Sequence, residues 1–211
     1  TQDGLQYLVI SDHSQSLGVA NGLTAERLMA QRRLLREVQA SLGDRLRLLH
    51  GIEVEILADG RLDFPDEVLA DLDVVTASLH SSLRQSREKA TVRLLAAIRN
   101  PHVDIIGHPT GRMIGSRDGA DLDMERILSE ASERGVILEL NAHPDRLDLD
   151  EVHCRRLVEL GGLLAINTDA HGVDGFGLRG YGVGIARRGW VTAPSVANTW
   201  PVERLLAHLA A

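Results

Sequence analysis

The sequence holds one cysteine, Cys154, and one lysine, Lys89, among 211 residues. A lone thiol excludes an internal disulfide and fits a reducing compartment. Cys154 falls in the middle of a helix-patterned segment with no sign of activation, which argues against a thiolate nucleophile. No apolar run approaches the ~20 residues of a membrane span, and no signal-peptide pattern opens the chain. The reading is therefore a soluble, cytoplasmic protein with no membrane partner. Positive charge is in deficit, with 23 Lys and Arg against 30 Asp and Glu, for a formal net charge of -7. Such a surface has no general attraction for a polyanion, so a nucleic-acid partner would need metal ions or a separate basic region. Repeats, low-complexity tracts and Pro/Ser-rich linkers are absent. With 44% apolar residues the chain can bury one substantial core, and a single domain over residues 1–211 is expected. Walker loops and G-x-S-x-G elbows are missing too. Gly175-Phe-Gly-Leu-Arg-Gly180 matches G-x-G-x-x-G literally, but no strand enters it directly and no helix plainly opens from it, so a dinucleotide site is rejected.

What the sequence does contain is a repeated pairing of short apolar runs with nitrogen and oxygen donors. Leu163 to Asn167 runs into Asp169 and His171, which share one direction if the segment is extended. Tyr7 to Ile10 runs into Asp12 and His13, Val74 to Ala77 into His80, and Val103 to Ile106 into His108. One such pair alone reads more simply as a cap and a loop histidine; the recurrence points to a common site.

Between these runs lie helical patterns. Thr24 caps a helix to about Ala40, with Leu28, Leu34, Leu35 and Val38 at helical spacing. Further helices are expected at 66–72, 87–98, 124–134, 151–160 and 202–209, and strands at 8–10, 47–56, 74–79, 103–106, 136–141 and from 163. Strict alternation implies a parallel sheet covered by helices, with the site at the carboxyl ends of the strands. A closed α/β barrel is favoured over a doubly wound sheet, because donors tip about six strands rather than one switch point. The chain starts at Thr1, not Met, and leads straight into a strand, which suggests an upstream portion and a first strand that would bring the count to about seven. Trp190, Trp200, Tyr181 and Phe176 are expected to pack together and close the barrel.

Glu53 alternates into a strand that otherwise reads as buried, so it needs either a cation or an arginine partner. Glu139 and Asn141 repeat the i, i+2 arrangement, with His143 continuing that face. His50, His102, His153 and His208 look ordinary. Arg112, four positions after His108, is either a bidentate phosphate contact or a plain surface residue.

Taken together, Ser-Asp-His13, Gly-Ile-Glu53, Ser-Leu-His80, Gly-His108-Pro-Thr-Gly-Arg112, Glu-Leu-Asn141 and Asn-Thr-Asp169-Ala-His171 resemble the PHP (polymerase and histidinol phosphatase) family over essentially the whole chain. Asp-His-Ser-Gln-Ser-Leu, Ala-Arg-Arg-Gly-Trp190 and Asn-Thr-Trp200 resemble in particular the C-terminal PHP domain of bacterial family X DNA polymerases. The resemblance implies a distorted (β/α)7 TIM-like barrel with up to three divalent metals, Zn²⁺ or Mn²⁺. By motif match the metal ligands are His13, Glu53, His80, His108, Asp169 and His171, and Glu53, Arg112 and Asp169 carry catalysis. The family also opens with a His-x-His motif on its first strand, and nothing before His13 supplies one, so the first strand is expected to be missing and metal occupancy reduced.

Mixed imidazole and carboxylate donors suit zinc, manganese or iron better than magnesium. Neighbouring cations acidify water, direct it at phosphorus and stabilise the leaving alkoxide, with Glu53 the best bridging candidate. Asp12, Asn141 and Asn167 are expected to orient the ligands, and Arg112 to grip a phosphoryl oxygen. The function implied is hydrolysis of DNA 3' ends (3'-5' exonuclease, 3'-phosphatase or phosphodiesterase) in DNA repair, with a polymerase domain upstream. Two alternatives are a free-standing phosphatase acting on a small phosphate ester such as histidinol phosphate, and a non-catalytic metal-stabilised scaffold. An amidohydrolase with a carboxylated lysine is disfavoured, because Lys89 lies on a helix pattern.

Overall fold

A computed structural model describes residues 4–211. The elements are β1 (Tyr7–His13), α1 (Ala25–Leu42), β2 (Arg47–Glu55), α2 (Asp66–Leu69), β3 (Val74–Ser78), α3 (Arg87–Ile98), β4 (Ile105–Gly107), α4 (Met124–Arg134), β5 (Ile137–Asn141), α5 (Glu151–Glu159), β6 (Leu164–Asn167), α6 (Arg179–Arg188) and α7 (Val202–Leu209). All six strands are parallel and lie in sequence order in one sheet, which forms a curled half-barrel alternating with helices. Each strand is followed by a helix that returns the chain to the same end, so every strand begins at one rim and ends at the other.

Strand register creates the site. His13 is paired with Glu53, Glu53 with Thr76, Ser78 with Gly107, and Asn141 with Asn167. Side chains alternate across a strand, so Leu49, Gly51 and Glu53 share the inner face, as do Ile137, Glu139 and Asn141. That inner face is apolar where the strands begin. There Leu49, Val74, Ile105, Ile137 and Ala165 pack with Trp200 and with Leu205 of α7, which plug the lower end. It turns polar where the strands finish. The opposite face, including Ile52, Val54, Ile106, Leu138 and Leu140, packs against Leu28 of α1, Leu94 of α3, Ile127 of α4 and Leu157 of α5.

Local signals explain the helix limits. The Thr24 hydroxyl accepts the Arg27 N–H, Asp123 accepts that of Arg126, and Asp150 accepts that of His153, each satisfying a first-turn donor. Gly135 ends α4 with φ 73°, a conformation that costs glycine little.

Two expectations need correction, and residues 172–189, to which the sequence pattern assigns no element, contain a helix, α6. Leu34 and Val38 of α1 are exposed rather than packed. Of the four aromatics, Trp200 is buried and donates its Nε1–H to Pro194 O at 3.2 Å, but Tyr181 and Trp190 face outward. Trp190 instead lies under the Arg155 guanidinium, 4.5 Å from the ring centre.

Candidate metal centre

At the carboxyl rim, four strand ends deliver His13, Glu53, His80 and His108 to one place. Glu53 is the hub. Its Oε2 lies 3.4 Å from His13 Nδ1, and its Oε1 lies 3.2 Å from His80 Nε2 and 3.0 Å from His108 Nε2. The rings of His13 and His80 stand edge to face at 5.2 Å, and those of His80 and His108 at 5.0 Å.

These contacts are close, yet their directions do not make hydrogen bonds. His13 Nδ1, Glu53 Oε1, His80 Nε2 and His108 Nε2 are all buried without a hydrogen-bond partner. Buried polar atoms are rarely left so, and several aimed at one another through a gap match what a cation requires. Among the described residues, His13, Glu53 and His80 also form the one group whose donor atoms all lie within 4.8 Å of one another. The residues therefore fit a divalent metal ion.

Charge distribution without an ion is consistent with this. Burial acts to raise the Glu53 carboxyl, but His108 and His80 outweigh it and hold the group well below the usual range. Burial would lower His80, but Glu53 and Glu55 push it up to about 9. His108 is raised as well, because Glu53 overcomes its desolvation, whereas burial leaves His13 lowered. Protonated imidazoles thus supply the positive charge that Glu53 needs.

Surrounding residues set the orientation of this group. Glu55, two positions beyond Glu53 and on the same face, comes within 2.8 Å of His80 Nδ1 and accepts the Ser81 hydroxyl at 2.6 Å. Glu139 accepts the His108 N–H at 2.6 Å and the Asn167 amide at 3.0 Å. Desolvation raises Glu139 to about 7, despite the opposing His108. A Cβ on Gly107 would lie 2.4 Å from Ser78 Oγ, so only glycine lets β3 and β4 approach here. His108 and Asp169 have φ of 26° and 51°, rare for residues with a Cβ and typical of side chains held for function.

The remaining expected residues are distributed differently. Asp169 sits beside the hub, where it accepts the Asn141 amide at 3.2 Å and pairs with Arg146 Nε at 3.3 Å. His171 is at the mouth, 73% exposed, with Nδ1 2.8 Å from Asp169 O and its ring 6.0 Å from that of His13. Asn141 and Asn167 orient carboxylates, as expected for an amide. Asp12 does not: it lies on the outer face of β1 and accepts from Gln31 of α1. His143 stays with Asp145 at the surface.

Arg112 departs furthest from expectation. Its Nε donates to Arg146 O at 2.8 Å, one terminal nitrogen donates to Leu147 O, and the other lies 3.9 Å from Asp150. It fastens the 110–120 loop to the 143–148 turn, and binding a phosphoryl oxygen would require releasing those bonds. The guanidinium beside the carboxylates is Arg146, one of whose terminal nitrogens is buried and unpartnered. Sequence reasoning missed Arg146, since a polar turn after β5 carries no periodic signal. The strand period puts Glu55 on the Glu53 face as well, but by itself gives it no role.

No family model matches the sequence. The chain is 45% identical over 206 residues to DNA polymerase/3'-5' exonuclease PolX of Bacillus subtilis, a match covering 98% of the chain and 36% of that protein. A probable phosphatase of Caldanaerobacter subterraneus is 34% identical over 134 residues, covering 59% of the chain and 50% of the relative. The chain thus spans about a third to a half of the length of these relatives. The fold matches that of histidinol phosphate phosphatase from Lactococcus lactis, solved with zinc, L-histidinol and phosphate, with a TM-score of 0.62 at 14% identity over 90% of the chain and 84% of that structure. With strand ends that converge on a His/Glu hub and a sequence that follows part of PolX over 98% of its own length, the chain belongs to the PHP family.

Proposed function

We propose that this chain is one metal-dependent phosphoesterase domain that hydrolyses DNA 3' ends in repair, within a longer protein that also carries a polymerase domain. The observation that carries the reading is the set of buried donors on His13, Glu53, His80 and His108 that converge without hydrogen bonds at the ends of four strands. The 3'-5' exonuclease named in the B. subtilis relative supports a DNA end as the substrate.

Glu53 presents one oxygen toward His13 and the other toward His80 and His108, and so would hold a divalent ion together with those imidazoles. Asp169 and His171 complete the ligand set from the mouth. Zinc or manganese held there would supply Lewis acidity toward a phosphoryl oxygen and would make water a nucleophile at neutral pH. Arg146 reaches the same region with a free donor, which suits a non-bridging phosphoryl oxygen. Asn141 fixes Asp169, and Glu139 fixes the backbone of His108, so neither ligand needs to reorient when a substrate arrives.

A second reading is favoured by charge. A net charge of -7 gives little attraction for a long polyanion, and suits a small phosphate ester. The test is release of phosphate or nucleotide from a 3'-phosphorylated oligonucleotide and from histidinol phosphate, with and without added Mn²⁺ or Zn²⁺. Preference for the oligonucleotide, abolished by His108→Ala, is the expected result. Metal-dependent turnover of the small ester alone would replace the first reading with the second, and normal turnover by His108→Ala would end both.

A further inference from the structure

Arg93 of α3 is only 3% exposed, a rare place for a guanidinium. Its Nε donates to Ile56 O at 3.1 Å, and its terminal nitrogens donate to Ser81 O at 2.8 Å and approach Glu55 Oε1 at 3.5 Å. One side chain thereby ties the end of β2 to the loop that carries His80. Glu55, itself 3% exposed, takes the other end of the chain of contacts: its Oε2 lies 2.8 Å from His80 Nδ1, and it accepts the Ser81 N–H at 3.1 Å.

An imidazole whose Nδ1–H is committed to a carboxylate presents its Nε2 lone pair in one fixed direction. Here that direction faces Glu53 Oε1, 3.2 Å away. A buried guanidinium has a large desolvation cost, and an ion pair with Glu55 offsets it only when its hydrogen bonds are made. Packing alone would be met more simply by an apolar residue at that point of α3. We infer that Arg93, acting through Glu55, is a positioning residue that fixes the ring plane and the Nδ1–H tautomer of His80 for metal binding. This inference rests on the metal-site reading above.

The probe is zinc. Its affinity is measured by competition with a chromogenic chelator for the wild-type protein, Glu55→Gln, Arg93→Met and Arg93→Lys, beside the thermal unfolding of each metal-free protein. The long-range ¹H–¹⁵N spectrum of the zinc-loaded protein reports which ring nitrogen of His80 keeps its proton. Glu55→Gln should lose roughly 10–100-fold in zinc affinity and alter the Nδ1–H resonance of His80. Arg93→Met should do the same, with Arg93→Lys restoring part of the loss. If Arg93→Met does not fold, Glu55→Gln and Arg93→Lys carry the test. Zinc affinity within twofold of wild type in Glu55→Gln and an unchanged His80 spectrum would overturn the inference while leaving the metal site intact. Failure of the wild-type protein to bind zinc overturns both.

Discussion

Glu53 and Glu55, two positions apart on β2, hold opposite edges of one imidazole: Glu53 Oε1 lies 3.2 Å from His80 Nε2, and Glu55 Oε2 lies 2.8 Å from His80 Nδ1. The period of a strand explains how a single β2 supplies both carboxylates to one face. One carboxylate looks into the convergent group, and the other is tied back to Ser81 and Arg93.

Competition between a proton and a metal for His80 gives the first prediction. Its folded value, about 9, is above the ordinary 6.5, so the proton stabilises the metal-free fold. That contribution is complete below pH ~6.5 and is lost as pH rises through about 9. Metal-free protein should therefore lose stability toward alkaline pH over that window. Zinc affinity should run the other way, rising with pH until about 9. Titration calorimetry at pH 7 in buffers of different ionisation enthalpy should register release of about one proton or more per site filled, from His80 together with His108. Proton-neutral binding would contradict the assignment of His80 as a ligand.

The two arginines of the rim should behave differently. Arg146→Met removes the guanidinium beside Asp169, its unpartnered nitrogen as well as the paired Nε, and is expected to lower kcat/KM by roughly 10–100-fold, a larger loss than Arg112→Met gives. Arg112→Met removes bonds to the carbonyls of Arg146 and Leu147, and should cost about 1–3 kcal/mol of stability. Steady-state kinetics paired with thermal unfolding separates the two. Equal kinetic losses with no stability change in Arg112→Met would return the phosphate contact to Arg112.

Asp104 offers a stability test remote from the site. Burial pushes its carboxyl up to about 6, against the Val75 N–H that it accepts at 2.7 Å. A raised carboxyl destabilises the fold when ionised, so stability should increase as pH falls from about 6 toward 3.8. Asp104→Asn keeps an acceptor for Val75 and removes the charge. It should stabilise the protein at pH 7 by about 2 kcal/mol and flatten that part of the pH profile, as read by urea unfolding.

Much of this was legible in the sequence because it depends on period and on chain ends. α3, α4 and α7 match the expected 87–98, 124–134 and 202–209, since apolar spacing is regular there and Asp123 and Gly135 bound α4. His13, His80 and His108 each follow an apolar run, which is where parallel strands stop, and Glu53 stands out as a carboxylate alternating within one. The direction of a long side chain has no such signature. Arg112 and Arg146 differ by which carbonyls lie near them, and those carbonyls belong to loops that sequence spacing does not locate. Asp12 was misassigned for a simpler reason: it adjoins His13, and adjacent residues on a strand face opposite sides.

α6 was hidden by its glycines, and they make the last prediction. Glycine lowers helix propensity by ~1 kcal/mol relative to alanine, so Gly180, Gly182 and Gly184 weaken the pattern of a helix that nonetheless forms. Packing explains one of them. A Cβ on Gly182 would lie 2.6 Å from Ile166 Cγ2, 2.8 Å from Ala142 Cβ and 3.0 Å from Leu140 Cδ2, so the helix can settle on β5 and β6 only without it. Gly184 has nothing within 4 Å of that point. Gly184→Ala should therefore stabilise by about 0.5–1 kcal/mol through propensity alone. Gly182→Ala should destabilise by about 1–3 kcal/mol through overpacking, even after the same propensity gain. At this chain length the two should differ by several degrees in Tm, on the order of 2–4 °C per kcal/mol. Matching shifts of one sign in both variants would mean that α6 does not bear on the sheet through Gly182.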